Sequence, residues 1–151
     1  MEDHVYQLLL VEDSEAEAHF FMKVLRTWAV RHLLNVVKDG WEAMAYLHNH
    51  GYYAEAPRPD LIFLDLSLPK MDGFETLRKI RTDEDPLIAC IPVIVLTNSS
   101  RPEDVRKAYQ SGANCYLTKP SDLDSSYELM AAVEWFWFEV CKLPPPVLSQ
   151  D

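Results

Sequence analysis

Five short apolar runs punctuate the chain, at residues 8–11, 34–37, 61–64, 93–96 and 115–117. All are too short for helices. The runs at 8–11, 61–64, 93–96 and 115–117 are continuous rather than alternating, and read as strands buried on both faces of a sheet. Between the runs, apolar residues fall at helical spacing: Ala18, Phe21, Met22 and Leu25; then Ala43, Met44 and Leu47; then Leu77 and Ile80; then Val105 and Ala108. Five repeats of strand then helix imply a parallel sheet with helices on both faces, a doubly wound α/β fold. Ser14 reads as the N-cap of the first helix, with Glu17 three residues on completing a capping box. Gly40 begins the second helix, the third runs from about Gly73, and Pro102 suits the first turn of the fourth. The last spans 123–140 and is stopped by Pro144, Pro145 and Pro146.

Polar residues at the ends of these runs carry the candidate chemistry. Glu12 and Asp13 follow the first, Asp65 the third, Thr97 the fourth, and Lys119 closely follows the fifth. In an open parallel sheet the carboxyl ends of the strands share one edge, and ligands bind in the crevice outside it. The pattern therefore gathers three carboxylates, a hydroxyl and an ammonium into one pocket. A single Asp after an apolar run is commonly a cap or turn residue; four such positions at the same end of successive strands are harder to explain that way. Carboxylate oxygens are hard ligands of the kind magnesium takes, and without a cation their mutual repulsion disfavours joint ionisation. A strand-end carboxylate beside magnesium, a hydroxyl and a lysine is equipped to receive a phosphoryl group, whose charge spreads over three oxygens. Asp65 would be the nucleophile.

Composition narrows the alternatives. A chain of 151 residues is expected to form one domain with its own core. The net charge of −10 opposes contact with a phosphate backbone, so neither DNA nor RNA is an expected partner. Cys90, Cys115 and Cys141 are odd in number and widely spaced, as reduced structural thiols are. No apolar run approaches the length needed to span a bilayer and no signal segment opens the chain, so a cytoplasmic protein is expected, with no membrane partner. Two loops stand out: 48–59, long for its place and rich in Pro and Tyr, which fits either an ordered surface lobe or a merely tolerated insertion, and 67–73, beside Asp65.

At these residues the chain resembles the receiver domain of two-component response regulators. The resemblance is carried by Glu12-Asp13-Ser14, Lys38-Asp39-Gly40, Asp65 through Pro69 to Asp72-Gly73, Val95-Leu96-Thr97 and Leu117-Thr118-Lys119-Pro120. It implies a flavodoxin-like (βα)5 fold with a five-stranded parallel sheet in the order 2-1-3-4-5, a receiver domain over 1–143 and a short proline-rich tail over 144–151. It further implies that Asp65 accepts a phosphoryl group from a sensor histidine kinase. Glu12, Asp13, Asp65 and the backbone carbonyl of Ser67 would position Mg2+, Thr97 and Lys119 would contact the phosphoryl oxygens, and Tyr116 would be the aromatic switch. The Lys119-Pro120 bond matches a cis peptide in the family. Asn98 departs from the small residue common after the threonine. The loop ending Pro57-Arg58-Pro59-Asp60, the run Asn114-Cys115-Tyr116 and the late Phe136-Trp137 resemble single-domain regulators paired with bacterial and cyanobacterial phytochromes, which tend to form homodimers.

The alternative is a magnesium-dependent phosphohydrolase of the haloacid dehalogenase type. That class needs a second Asp two residues after the nucleophile, where this chain has Ser67. The expectation is thus a phosphoacceptor and not an enzyme acting on other molecules, with output through an unidentified downstream protein. At about 100° per residue, Leu129, Val133, Phe136 and Val140 share the buried stripe of the last helix. Trp135 and Phe138 fall on the far side and are expected at a homodimer contact, as large aromatics off the core stripe anchor interfaces.

Overall fold

The computed structural model describes residues 4–145. The elements are β1 (Tyr6–Val11), α1 (Glu15–Leu25), β2 (His32–Val37), α2 (Gly40–Leu47), β3 (Leu61–Leu64), α3 (Gly73–Arg81), α4 (Pro86–Ala89), β4 (Val93–Thr97), α5 (Pro102–Gln110), β5 (Cys115–Thr118) and α6 (Leu123–Glu134). The sheet is five-stranded and parallel in the order β2-β1-β3-β4-β5, as expected. The tail expected over 144–151 lies outside the described residues from 146 onward. Among the described residues no helix is long and apolar enough to cross a membrane.

The pleat divides each strand between two cores. Leu9, Val11, Ile62, Leu64, Val93 and Val95 face α2, α3 and α5, while Leu8, Leu10, Leu61, Phe63, Ile94 and Leu96 face α1 and α6. Burial on both faces holds for β3 and β4 and for most of β1. In β5 it does not: three of its residues are half-buried and Thr118 is exposed, because this strand lies at the sheet edge.

Local chemistry sets the helix starts. Ser14, Asp39, Asp72 and Asp122 each accept a backbone N–H from their own first turn, satisfying a donor that has no intrahelical partner. Asp85 does the same for α4, a short turn the sequence reading left within a loop. The 48–59 segment is tied down by hydrogen bonds. Asn49 Nδ2 donates to the carbonyls of Tyr53 (3.1 Å) and Ala56 (2.7 Å), and Arg58 reaches the carbonyls of Leu87 and Pro145. At the amino end of the sheet Arg81 Nε donates to Gly112 O (2.7 Å), its Nη1 to Ala89 O (3.0 Å) and Ile91 O (2.7 Å), and its Nη2 to Asn114 Oδ1.

The last helix departs from its expected phase. Beyond Glu134 it widens into a π-helical segment, Trp135–Val140, closed by Cys141 N donating to Phe136 O (2.8 Å). The wider turn ends the 100° rotation on which the stripe depends. Phe136 and Val140, expected inside, are 45% and 50% exposed, and Trp135 is 63% exposed. Phe138, expected outside, packs against Tyr6 and Trp28 with ring centroids 4.5 and 5.4 Å away. Phe138 is thus half-buried, packed against the core on the α1 and α6 side.

Gly73 is fixed by close approach. A Cβ there would lie 2.5 Å from both the Asp65 carbonyl oxygen and Leu66 Cα. Since both neighbours are backbone, Gly73→Ala has to displace the loop after β3, and should cost about 1–3 kcal/mol. Urea unfolding measures this; an unchanged midpoint would contradict the packing described.

Candidate functional site

Strand register alone aligns the site. Val11 pairs with Leu64, Leu64 with Val95, and Thr97 with Thr118. Glu12, Asp65, Thr97 and Lys119 therefore emerge at one edge of the sheet. Lys119 N donates to Thr97 O at 2.7 Å, carrying the β4 to β5 ladder one residue further. Glu12, Asp65 and Thr97 are all buried.

Lys119 is the hub. Its Nζ donates to Glu12 Oε1 (2.9 Å), to Asp65 Oδ2 (3.4 Å) and to Glu17 Oε1. Burial on its own would lower the Lys119 pKa. The hydrogen bonds to Glu17 and Glu12 and the charges of Asp65 and Glu12 outweigh it, so the pKa stands well above the ordinary lysine range. Glu12 moves up: burial raises it and the Asp65 charge adds to that, against the opposing pull of Lys119 and of the Ser14 N–H.

Glu17 is the site residue that sequence reasoning missed. Only half of the expected capping box forms. Ser14 Oγ accepts Glu17 N at 3.2 Å, but Ser14 N donates to Glu12 Oε2 at 3.1 Å, leaving the Glu17 carboxylate to Lys119. An acidic residue one turn into a helix that rises from the same strand edge was the available signal. Oxygens of Glu12, Glu17 and Asp65 lie within 4.8 Å of one another. Asp13 is exposed and outside this group, and Ser67, also exposed, donates its N–H to Asp65 Oδ1 at 3.2 Å.

Three carboxylates against one ammonium leave a surplus of negative charge, with oxygen donors only. That donor set fits a hard divalent cation such as Mg2+ or Mn2+. The cluster is able to coordinate one, with Glu12, Asp65 and Glu17 offering the oxygens.

Around this centre, Tyr116 OH donates to Ser99 O at 2.8 Å, tying β5 to the loop that follows Thr97. Burial raises the Tyr116 pKa, so the phenol stays a donor. In that loop Ser99 Oγ donates to Asp104 Oδ2 (2.6 Å), and Asn98 is exposed. Lys70, at φ 66°, places its Nζ 3.7 Å from Asp39 Oδ2 across the mouth. The Lys119-Pro120 bond, expected cis, is trans, the isomer that X-Pro amides still favour by about 0.5–1 kcal/mol.

A parallel 2-1-3-4-5 sheet with an acid pair, an aspartate, a threonine and a lysine on its carboxyl edge defines a phosphoaccepting signalling domain. The response regulator receiver domain family matches residues 8–134, and the chain belongs to that family. It is 44% identical over 137 residues to the response regulator Rcp1 of Synechocystis sp., covering 91% of this chain and 92% of that protein. The crystal structure of the phosphorylated cyanobacterial phytochrome response regulator RcpA superposes with a TM-score of 0.86 at 41% identity, over 94% of this chain and 100% of the other. The Mn2+-bound form of Rcp1 gives 0.83 at 43%, over 93% and 99%. The chain is thus a receiver whose own covalent chemistry is the gain and loss of a phosphoryl group.

Replacing Lys119 removes the only ammonium in this carboxylate group. Lys119→Met should lose about 2–4 kcal/mol at pH 7, because buried carboxylates are left unpaired. With its folded pKa raised, the Lys119 contribution is complete below the unfolded lysine value and is lost only as pH rises through the folded value, so it is constant from pH 5 to 8 in the wild type. In the variant Glu12, which burial already raises, loses the opposing pull of Lys119. Urea unfolding should therefore show its deficit shrinking as pH falls and Glu12 takes up a proton; a deficit independent of pH would contradict the charge cluster.

Proposed function

We propose that the protein relays a phosphoryl group in the cytoplasm from a phytochrome-linked sensor histidine kinase onto Asp65. The observation that carries this is the buried Asp65 carboxylate, between Glu12 and the Lys119 ammonium at the ligand-binding edge of the sheet. The kinase assignment is supported by the similarity to RcpA, a cyanobacterial phytochrome response regulator.

In the transfer, an Asp65 Oδ attacks phosphorus in line, the P–N bond to the kinase histidine breaks, and the ring nitrogen leaves with the electron pair. Glu12 and Asp65, with Asp13 and the Ser67 carbonyl beside them, would hold the Mg2+, which would supply charge neutralisation at the phosphoryl oxygens. Lys119 takes one of those oxygens through its ammonium, and the Thr97 hydroxyl donates to another. Movement of Thr97 toward the phosphoryl group pulls on the loop that carries Ser99, the hydrogen-bond partner of Tyr116. Tyr116 then repacks, and the surface made by α5, β5 and α6 changes for a downstream protein.

Acetyl phosphate with Mg2+ should add one phosphoryl group to the wild type and none to Asp65→Asn, read by intact-mass spectrometry. Chelating the metal should abolish the addition. Undiminished addition to the variant would remove Asp65 from the role.

A homodimer is the second partner we propose. Trp135, Phe136 and Val140 form an exposed apolar strip on one terminal segment, and apolar strips of this kind mark association sites. A two-fold pairing would make the strip self-complementary. Sedimentation should show a dimer weakened at least tenfold by Trp135→Ala with Phe136→Ala, and a wild type monomeric at high concentration, phosphorylated or not, rules the pairing out.

A further inference from the structure

Lys119 is shared among three carboxylates, and Asp65 is the most distant of them. Its Nζ lies 2.9 Å from Glu12 Oε1 and 3.4 Å from Asp65 Oδ2, with Glu17 Oε1 held closer than either. Glu17 reaches Lys119 because Ser14 N is already donated to Glu12, while Ser14 Oγ pins the Glu17 backbone at the start of α1. The Glu17 side chain is 46% exposed, against 4% for Glu12 and 9% for Asp65. Of the three, only Glu17 could release the ammonium and turn into water at little cost, since half-exposed ion pairs are weak.

We propose that Glu17 is a positioning residue for phosphoryl transfer: it tethers Lys119 away from Asp65 and adds a negative charge that attracts the cation and opposes the phosphoryl group. The inference rests on Asp65 being the phosphoacceptor. With acetyl phosphate as donor, an Asp65 Oδ attacks phosphorus, the P–O bond to acetate breaks, and acetate leaves with the electron pair. The arriving group brings negative charge on its three outer oxygens, so Lys119 has to leave Glu17 to meet it. The same carboxylate thus has opposite effects on the two ligands. It favours Mg2+ through added negative charge, and it slows the phosphoryl transfer through repulsion and through its hold on Lys119.

Glu17→Gln and Glu17→Asp, in the full chain, separate these effects. Calorimetric titration gives the Mg2+ affinity, and intact-mass kinetics with acetyl phosphate at saturating Mg2+ give the rate of acyl phosphate formation. Glu17→Gln is expected to bind Mg2+ roughly threefold to tenfold more weakly and to accept the phosphoryl group faster by about the same factor. Glu17→Asp keeps the charge and loses the reach. Its Mg2+ affinity should stay within about twofold of wild type while its phosphorylation is faster than wild type. A purely structural role would depress both quantities in Glu17→Gln. Phosphorylation of Glu17→Gln at or below the wild-type rate overturns the proposal, and a Glu17→Asp rate equal to wild type overturns the tether. A wild type that takes no phosphoryl group on Asp65 refutes the phosphoacceptor assignment itself, so the two failures are distinct.

Discussion

An ammonium shared among carboxylates at the carboxyl edge of the sheet is the interaction on which the rest of this site depends. Glu12 and Asp65 are buried on neighbouring strands, and two carboxylates so placed resist ionising together. Lys119, arriving from β5, donates to both and offsets their charge. The sheet order matters for that reason. With β1 and β3 adjacent at the centre and β4 joining β3 to β5, Glu12 and Lys119 converge on Asp65 from both sides.

The surroundings of this cluster are graded in rigidity. Close to Asp65, Gly73 lets α3 start against the strand-end backbone, and Leu66 O accepts Gly73 N at 3.0 Å. On the other flank the contacts are fewer and depend on loop residues: Tyr116 to Ser99, and Ser99 to Asp104. A domain that must read a change in charge needs both, a fixed acceptor and a flank with alternative packings. β5, at the sheet edge and only half-buried, is the less confined of the two flanks.

Much of this was legible in the sequence because burial leaves a strong imprint. A central parallel strand has to be apolar on both faces, so 8–11, 61–64 and 93–96 announce themselves, and the first polar residue after each marks the edge. Asp72 before Gly73 and Pro102 in a first turn are local signals of the same clarity. Glu17 was hidden because its local role as a capping residue was sufficient to account for it, while its real partner lies 102 residues away. The phase of Phe136, Phe138 and Val140 was unreadable for a different reason. Which of four consecutive aromatics turns inward depends on Tyr6 and Trp28 at the other end of the chain, and their packing selects the wider helical turn. The turn at 86–89 carries a readable start signal in Asp85-Pro86, but at four residues it is too short to show a helical period.

Arg81 gives the domain a fixed end. Its one guanidinium spans the turns before β4 and before β5, bonding to backbone at Ala89, Ile91 and Gly112 and to the Asn114 side chain. Asn114 in turn accepts Val93 N at 2.8 Å. The beginnings of β4 and β5 are thus clamped to one another while the strand endings face the site. Mechanically β4 and β5 are a pair of cantilevers: strain introduced at their free tips is resisted at the clamped roots, and its easiest outlet is sideways, through the loops that bear Ser99 and Pro120.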